Sequence, residues 1–488
     1  MTTTNDEQQI TIGARRSPGP SVQDLHRADT GPVPRALLDE SYVPQGQADV
    51  PKARYTSPAF AALENEFMWT STWQLACLAD EIRQPGDHVV YDVADQSLLV
   101  TRLRDGSIRA FHNACLHRGT KLRTEDGRVA SFRCPFHGWR WDLDGTLAEI
   151  PGGWDFPHIT CDATRSCLPE AQVAEWQGFV FVNMDPTAAP FEEVAAKLID
   201  HFSDSFDYAN RYCTFHAVKE VPANWKVCME AFSEGYHVIA THPQIVEFAG
   251  DDNSEYSIWP DSKYVTRFVN GFGIQSPHLA EIPQQQILDA YLAFSSKAAQ
   301  RVGSATNAPV PEGKTARQVA AEVFRAGMGA RYGTDLSAYS DTEILDAHLY
   351  HLFPAFAPWA GIGQPLVYRW RPGATPDTCF MDVYRMAPVP DGQERPAPAE
   401  CQRLTLEQEW HEAAGMGQLA DVFAQDMSNF PRVQAGLKST GKRGVTFGDY
   451  QEARLRLIHR NIDECILAGL AASGRSHAEA QPYLVPEG

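Results

Sequence analysis

The stretch Cys115-Leu-His117, followed sixteen residues later by Cys134-Pro-Phe-His137, decides the fold of this chain. It contains two cysteines and two histidines, and the two residue types are interleaved. A Cys₂His₂ zinc site is the competing interpretation, but zinc-finger spacings pair Cys with Cys and His with His. The interleaved spacing instead predicts a two-iron cluster with cysteine ligands on one iron and histidine ligands on the other.

A [2Fe-2S] cluster with these mixed ligands is a Rieske centre, which transfers single electrons. The sequence around the ligands predicts the scaffold. From Trp73 to about Met184, short β-branched runs such as Val89-Val-Tyr91 alternate with turn signals such as Asp105-Gly106. These signals predict a small antiparallel β domain that carries both ligand pairs on loops.

Length, net charge and residue composition restrict the class of protein to which this chain can belong. A chain of 488 residues is long for a single core, so two domains with extensions are expected. The net charge of −20 argues against a nucleic-acid partner. The sequence has neither a signal-peptide pattern nor an apolar run of membrane-spanning length, which predicts a cytoplasmic protein without a membrane partner. The eight cysteines outside the two motifs are scattered, and we expect reduced thiols.

The chain is predicted to divide into four parts. Residues 1–56 are rich in proline and are expected to be largely disordered or extended over the surface. A leading helix is predicted over 57–72, because Ser57-Pro58 is an N-cap followed by proline at the first helical position. The Rieske domain is predicted over 73–185, and a larger α+β catalytic domain over 186–488.

The larger domain contains a predicted helical insertion at about 280–352. Its three helices are predicted over Ile287–Gln300, Thr315–Met328 and Asp341–Leu352, and the last begins with a capping box formed by Ser340 and Glu343. Such an insertion could cover a pocket or make an oligomer contact.

A second group of metal-binding residue types lies in the larger domain. Glu234 and His237 are three residues apart, so on a helix their side chains would be neighbours. Pro243 disfavours helical backbone at His242, so the helix is expected to bend or end there. Two histidines and one carboxylate with open coordination positions are typical of mononuclear non-haem iron oxygenases.

Together these residues resemble the α subunits of Rieske non-haem iron oxygenases, the aromatic-ring-hydroxylating dioxygenases and related monooxygenases or demethylases. The resemblance implies an α+β fold: an N-terminal antiparallel β Rieske domain, then a catalytic domain with an antiparallel sheet and surrounding helices of the helix-grip or START-like kind. The motifs that carry the resemblance are Asn113-Ala-Cys115-Leu-His117-Arg118-Gly119, Cys134-Pro-Phe-His137-Gly138-Trp139, the block from Asn224 to His242, and Gln425-Asp426 to Leu437.

Carried over by position, the resemblance implies one Rieske cluster on Cys115, His117, Cys134 and His137, and one mononuclear Fe(II). It makes His237, His242 and Asp426 the ligands of that iron, with Asp421 as the alternative carboxylate. Glu234 would link the iron to a Rieske histidine of a neighbouring subunit, here His137. This implies a head-to-tail homotrimer, with or without a small β subunit.

Two positions depart from the common family pattern, and several nearby roles stay open. The bridging acid is commonly Asp and here is Glu234, and Ala231 stands where Asn often follows the acid at Glu230. Phe232 and Val238 could line the substrate pocket or belong to the core. Side chains beside the cluster, Arg118 and Trp139, could tune it or simply pack the loops.

The chain shows no nucleotide-binding glycine motif and no second cluster motif, so a separate NAD(P)H-dependent reductase, with or without a ferredoxin, is expected. The leading hypothesis is hydroxylation of an aromatic or other hydrophobic substrate with O₂, as in aromatic hydrocarbon catabolism. Oxidative O- or N-demethylation at the same iron is the alternative. A Rieske electron carrier is the third hypothesis, but it would not need the second group of metal-binding residues.

Overall fold

The computed structural model describes residues 17–159, 166–298, 308–363, 365–390 and 392–486. The chain forms two compact units. One comprises the chain up to Ala61 together with the chain from Glu192 onward, and we call it the catalytic unit; the other is Ala62–Phe191, the Rieske unit. None of the helices in the described part of the chain has both the length and the apolarity to cross a bilayer.

The N-terminal segment was predicted to be largely disordered or extended over the surface. Residues 17–56 are ordered and partly buried, while residues 1–16 lie outside the described part. The segment contains three short helices and strand β1, which are Val22–Arg27, Arg35–Leu38, Ala53–Thr56 and β1 Val50–Pro51. Leu37 and Tyr55 are completely buried, and the buried Arg267 donates hydrogen bonds to the backbone carbonyls of Leu37 and Asp39. Prolines interrupt any helical periodicity in this segment. Without a periodic apolar pattern, its buried residues could not be recognised from the sequence.

The helix predicted within 57–72 is present and changes form along its length. It runs as an α-helix over Pro58–Leu63 and as a π-helix over Glu64–Met68. Met68 and Trp69 at its end are buried.

The described residues of the Rieske unit form ten strands: β2 Gln74–Leu78, β3 Asp87–Val93, β4 Gln96–Arg102, β5 Ile108–His112, β6 Gly127–Arg128, β7 Phe132–Arg133, β8 Arg140–Trp141, β9 Leu147–Glu149, β10 Glu170–Trp176 and β11 Phe179–Asn183. They form a seven-stranded sheet in the order β2-β11-β10-β5-β4-β3-β6 and a three-stranded sheet β7-β8-β9. The pairings are antiparallel, as predicted. The turn between β8 and β9 requires Gly145, because φ is +81° and an added Cβ would lie 2.6 Å from the Phe111 ring.

The catalytic unit adds strands β12 Arg211–Val221, β13 Ala249–Ile258, β14 Val265–Phe272, β15 Ala347–Leu352, β16 Phe356–Ala360, β17 Leu366–Pro372, β18 Cys379–Pro388, β19 Cys401–Leu404 and β20 Gly444–Val445. Eight of them form one sheet in the order β13-β14-β15-β16-β17-β18-β12-β19. The sheet is antiparallel as predicted, except that edge strand β19 runs parallel to β12. The remaining strand, β20, pairs with β1 of the N-terminal segment.

Helices of the chain from Phe191 onward are Phe191–Val194, Ala196–Ser205, Trp225–Ala231, Val238–Thr241, Gln284–Ala298, Ala316–Tyr332, Asp341–Leu345, Leu419–Leu437 and Ala453–Ala472. The first two helices of the predicted insertion are present, although residues 299–300 of the first lie outside the described part. The third prediction is wrong after Leu345. The capping box of Ser340 and Glu343 forms, but Ala347–Leu352 is a fully buried strand. A short buried apolar run does not distinguish helix from strand.

Candidate iron–sulfur and metal centres

The four predicted cluster ligands lie together on two loops of the Rieske unit. Cys115 and His117 follow β5, and Cys134 and His137 lie between β7 and β8. The two thiols are buried. The rings of His117 and His137 are 4.5 Å apart between centroids.

This donor set fits a Rieske cluster. Within the described residues, Nδ1 of His117 is a buried nitrogen without a hydrogen-bond partner, as expected for an atom that binds a metal. Burial raises the pKa of the Cys115 thiol, although hydrogen bonds from the backbone at His117 and Arg118 oppose this shift. Hydrogen bonds to the sulfurs are among the factors that set the potential of an iron–sulfur cluster.

The loops around these ligands combine a packed side with an exposed side. Trp139 is buried and stacks on His117, with ring centroids 5.2 Å apart and planes 6° apart. The guanidinium of Arg118 lies 5.5 Å from the centroid of the Phe136 ring. Phe136 and Trp154 are 60% and 86% exposed, so this tip of the unit presents aromatic surface to its surroundings.

In the catalytic unit, His237, His242 and Asp426 converge although Asp426 is remote in sequence. One ligand atom from each lies within 4.8 Å of the others. Oδ1 of Asp426 is 3.0 Å from Nε2 of His242 and 3.6 Å from Nε2 of His237. Two imidazoles and one carboxylate arranged in this way could hold a divalent metal with open positions.

The other nitrogen of each imidazole is held by a side chain. Nδ1 of His237 lies 2.7 Å from Oε1 of Glu234, and Nδ1 of His242 lies 2.8 Å from Oε1 of Gln425. Metal-binding histidines are oriented by such partners, which fix the tautomer that leaves Nε2 for the metal. The role of Gln425 was not predicted from the sequence. Its position directly before Asp426 could have indicated that it contacts the same group of residues.

Asp421, the alternative carboxylate, does not join this group. Its side chain is 68% exposed and pairs with His411 at 2.7 Å. Asp426 is 4% exposed and lies on the inner face of the helix Leu419–Leu437.

Glu234 does not lie on a helix, in contrast to the prediction. The preceding helix ends at Ala231, where Ser233 Oγ donates to the carbonyl of Met229 at 2.9 Å. A new short helix, Val238–Thr241, begins after His237 and ends at His242, as Pro243 predicts. The predicted contact between Glu234 and His237 is present, but a turn rather than a helical face produces it.

Two long-range contacts hold the turn that presents Glu234. The completely buried Arg454 donates from Nη1 to the carbonyl of Ser233 at 3.0 Å. Tyr256 accepts a hydrogen bond from the backbone N–H of Gly235 at 2.9 Å. Glycine fits here because an added Cβ would lie only 3.3 Å from the Phe268 ring. The position of Glu234 is therefore fixed on both sides.

Aromatic rings form a cluster around Phe232, five residues before His237. Phe423 and Tyr368 lie 5.1 and 5.4 Å from it between centroids, and Trp370 and Phe430 lie at 6.1 and 6.4 Å. Phe423 and Phe430 occupy the same helix as Asp426, three residues before and four residues after it. That spacing places them on the face of Asp426 and could have identified them from the sequence. The other predicted pocket residue, Val238, is buried.

A cavity of about 520 Å³ lies beside the turn. Its lining includes Tyr236, which stands between Glu234 and His237, together with Asp252, Asp449 and Glu452. Tyr236 is 59% exposed. The surface next to Glu234 is therefore accessible, aromatic and acidic.

A second carboxyl, Glu230, lies four residues before Glu234, near the end of the helix Trp225–Ala231, and its side chain is 12% exposed. Its Oε1 accepts a hydrogen bond from the Tyr55 hydroxyl and lies 2.9 Å from Nε2 of His459. Burial raises the pKa of Glu230 to about 8, although the Tyr55 hydrogen bond and the charge of Lys226 oppose this shift. The N-terminal segment, the helix Trp225–Ala231 and the C-terminal helix thus meet at a carboxyl that is protonated near neutral pH.

We expect Glu230→Gln to become more stable than the wild type as the pH rises. The folded protein retains a proton on Glu230 between its ordinary pKa of 4.5 and about 8, whereas the unfolded chain loses it, so wild-type stability falls across this window. A neutral glutamine removes that loss. The melting temperature of the variant should exceed that of the wild type by at least about 2 °C at pH 8.5 and match it near pH 5. The exposed Glu322→Gln is the control, and a variant that melts lower at every pH would contradict the assignment.

The β unit brings two thiols and two imidazoles together. In the same chain, the α+β unit brings two imidazoles and a carboxylate together. This combination is the architecture of Rieske-type non-haem iron proteins. Comparison with known families agrees. Residues 72–157 match the Rieske [2Fe-2S] domain, and residues 202–468 match the ring hydroxylating alpha subunit (catalytic domain). Because the second match covers more than half of the chain, this protein belongs to the ring-hydroxylating alpha subunit family. Its two domains are those that bind a [2Fe-2S] cluster and a mononuclear iron.

Individual relatives refine this picture. The oxygenase subunit of carnitine monooxygenase from Acinetobacter pittii is 32% identical over 201 residues, which are 40% of this chain and 52% of the relative. The chain thus spans about half the length of the curated relatives it matches. A quaternary ammonium Rieske monooxygenase solved with L-carnitine has a TM-score of 0.56 at 20% identity, covering 86% of this chain and 95% of that one. Naphthalene 1,2-dioxygenase from Rhodococcus sp. has a TM-score of 0.57 at 19% identity, covering 86% and 94%.

Proposed function

We propose that this protein is the terminal oxygenase component of a Rieske oxygenase system that uses O₂ and electrons from a separate NAD(P)H-dependent reductase. The observation that carries the proposal is the convergence of His237, His242 and Asp426 within 4.8 Å in a chain that also presents the four Rieske ligands. A pure electron carrier would have no use for this second group. The chemistry that the two groups supply when bound is electron transfer at the cluster and O₂ activation at the iron.

The protein's own side chains would orient the metal-binding imidazoles and limit water beside them. Glu234 and Gln425 keep both imidazoles in the tautomer that turns Nε2 toward Asp426. The aromatic cluster around Phe232 limits water beside the metal-binding side chains and provides apolar walls for a substrate.

Electrons would enter the catalytic unit from a Rieske unit of a second copy of the chain, in a homotrimer or in an assembly that adds small β subunits. Glu234 would contact the partner subunit's His137. Tyr236 lies two residues after Glu234, and Phe136 lies directly before His137; both are exposed. An exposed aromatic residue beside each side of the proposed contact supports the proposal. A reductase, alone or with a ferredoxin, would supply the cluster.

Glu234→Gln should slow electron transfer while both metals remain bound. An amide cannot accept hydrogen bonds from two imidazoles as a carboxylate does, so the link between the centres is lost. In single-turnover experiments from the reduced cluster, with substrate and O₂ present, Rieske oxidation should slow by at least about 100-fold, a barrier change of about 3 kcal/mol. The partly exposed Glu247→Gln, outside this contact, is the control. Near-normal Rieske oxidation in Glu234→Gln would show that Glu234 is only a structural carboxylate.

Electron transfer between copies can be tested separately by mixing two inactive variants. His237→Ala chains keep a working cluster, and His137→Ala chains keep a working iron site. Mixed assemblies should regain part of the activity if electrons cross between subunits. No recovery after confirmed subunit exchange would contradict the inter-subunit path.

For the substrate we propose a quaternary ammonium compound that is oxidised next to nitrogen, with loss of an alkyl group or C–N cleavage. Aromatic faces such as Phe232, Tyr368 and Trp370 stabilise alkylammonium cations by cation–π contacts. Relatives matched by this chain include enzymes named for carnitine, choline and glycine betaine. The same aromatic walls also favour the second candidate, hydroxylation of an aromatic ring.

A product screen decides between these substrates. The reconstituted oxygenase, with a surrogate reductase and NADH, would be offered quaternary ammonium compounds, aromatic hydrocarbons and aryl methyl ethers. Substrate-coupled O₂ uptake with release of a tertiary amine or an aldehyde from the ammonium compounds supports the first proposal, whereas ring diols or phenols support the second. Iron analysis provides a separate check: an oxygenase should contain about three irons per chain and a carrier about two.

A further inference from the structure

Two glutamine amides lie against His242, the more buried histidine of the metal-binding group. His242 is 3% exposed, and its Nδ1 lies 2.8 Å from Oε1 of Gln425. Gln244 donates from Nε2 to this same oxygen at 2.7 Å, and Gln425 donates from Nε2 back to Oε1 of Gln244 at 3.2 Å. The two amides therefore close a ring of two hydrogen bonds, which we call the amide pair.

The local sequence explains how Gln244 reaches this position. The backbone N–H of Ile245 donates to the carbonyl of His242 at 3.0 Å, so residues 242–245 form a turn. Pro243 stands at the second position of this turn, where its fixed φ is favourable, and Gln244 stands at the third. One short turn therefore carries both the histidine and the outer member of the amide pair, which restricts their relative position.

Gln425 reaches the same imidazole from the helix Leu419–Leu437. The next residue of this helix is Asp426, whose Oδ1 lies 3.0 Å from Nε2 of His242. Consecutive residues of one helix thus contact the two ring nitrogens of one histidine. A rotation of the His242 ring would break at least one of these contacts.

Gln244 determines which end of the Gln425 amide faces His242. A neutral imidazole that binds a metal through Nε2 carries its proton on Nδ1, and this proton needs an acceptor. If the Gln425 amide turned over alone, its NH₂ group would meet the N–H of His242 and the NH₂ group of Gln244. Gln244 therefore keeps the acceptor oxygen toward His242, although it is exposed and is not itself a metal-binding residue.

The two histidines of the metal-binding group differ in the charge of their partners. His237 lies against the carboxylate of Glu234 at 2.7 Å, whereas the partner of His242 is a neutral amide. A carboxylate partner raises the basicity of an imidazole ligand more than an amide does. The amide pair thus orients His242 without adding a further negative charge to those of Glu234 and Asp426.

We propose that Gln425 and Gln244 are positioning residues that set the metal affinity of the mononuclear site by fixing the ring of His242. The essential element is an oxygen acceptor at position 425, held in place by Gln244. This inference rests on the proposed function, because it takes His237, His242 and Asp426 as metal ligands. Outer partners of metal-binding histidines typically contribute about 10- to 100-fold to metal affinity.

The test is Mn²⁺ binding to protein that has lost its mononuclear iron and keeps an oxidised Rieske cluster, measured by loss of the EPR signal of free Mn²⁺. Gln425→Leu removes the acceptor and should raise the Kd by about 10- to 100-fold. Gln425→Glu retains an oxygen acceptor and adds a charge, so it should bind Mn²⁺ at least as tightly as the wild type. Gln244→Leu frees the Gln425 amide to turn over and should raise the Kd by at least about threefold.

The control is Gln286→Leu. Gln286 is exposed and its amide donates to Oε1 of Glu247 at 3.0 Å, so this variant removes a comparable surface hydrogen bond outside the amide pair. Its Kd should equal that of the wild type. The melting temperature of the metal-free protein should stay within about 2 °C of the wild type in every variant, which separates a loss of positioning from a loss of stability.

Wild-type affinity in Gln425→Leu, or equal losses in Gln425→Leu and Gln425→Glu, would overturn the proposal. If Gln425→Leu fails to fold, the exposed Gln244→Leu decides, and wild-type affinity there would overturn it as well. Failure of the proposed function has a different signature, because Asp426→Ala would then bind Mn²⁺ as tightly as the wild type.

Discussion

His137→Ala is expected to abolish the Rieske absorption and EPR signals together with all turnover. The variant removes one of four ligands, and the exposed Phe136 beside it offers no replacement donor. Cys115→Ser should give the same result, because a hydroxyl is a poor substitute for a thiolate on iron. We expect activity to fall by at least about 10⁴-fold, since no electron reaches the catalytic unit.

The control for this experiment is His112→Ala. His112 is a partly buried histidine at the end of β5, three residues before Cys115. It should retain the spectrum and most of the activity. If His137→Ala kept the wild-type visible and EPR spectra, the cluster assignment would be wrong.

Asp426→Ala is expected to eliminate the mononuclear iron and turnover while the Rieske spectrum stays intact. The carboxylate is the only acidic member of the group formed with His237 and His242 among the described residues, so its loss removes both a ligand and the negative charge that attracts the metal. His237→Ala should behave in the same way. Iron should fall by about one third, from three to two per chain.

Asp421→Ala is the matched control, because it removes the same group from the same helix five residues earlier. Its carboxylate is exposed and paired with His411, so iron content and activity should remain near wild type. If instead Asp421→Ala lost iron while Asp426→Ala retained it, the converging geometry would not be the metal site.

The sequence predicted those parts of the sites whose signals are local. The interleaved Cys and His residues lie within twenty-three positions of one another, and their ligand chemistry is specific enough to define the Rieske unit. His237 and His242 were identified in the same way. Asp426 required the family resemblance, since nearly two hundred residues separate it from His237 and an isolated Asp on a helix carries no signal of its own.

Contacts formed only by tertiary packing could not be predicted. Arg454 and Tyr256, which fix the turn around Glu234, come from a distant helix and strand. The helical prediction over Ala347–Leu352 failed because burial on both faces removes the alternation that marks a strand. The order within residues 17–56 was not predicted, because the buried side chains there are spaced irregularly between prolines.

The order of the two units along the chain has a consequence for how the protein is synthesised. The catalytic unit is interrupted after Ala61 and resumes at Glu192, and β1 near its start pairs with β20 near its other end. This pairing can therefore form only after β20 has left the ribosome, because such remote pairings form late. The Rieske unit, in contrast, is one continuous segment. A nascent chain that has passed Glu192 already contains Cys115, His117, Cys134 and His137, so we expect that iron–sulfur loading can precede completion of the catalytic unit.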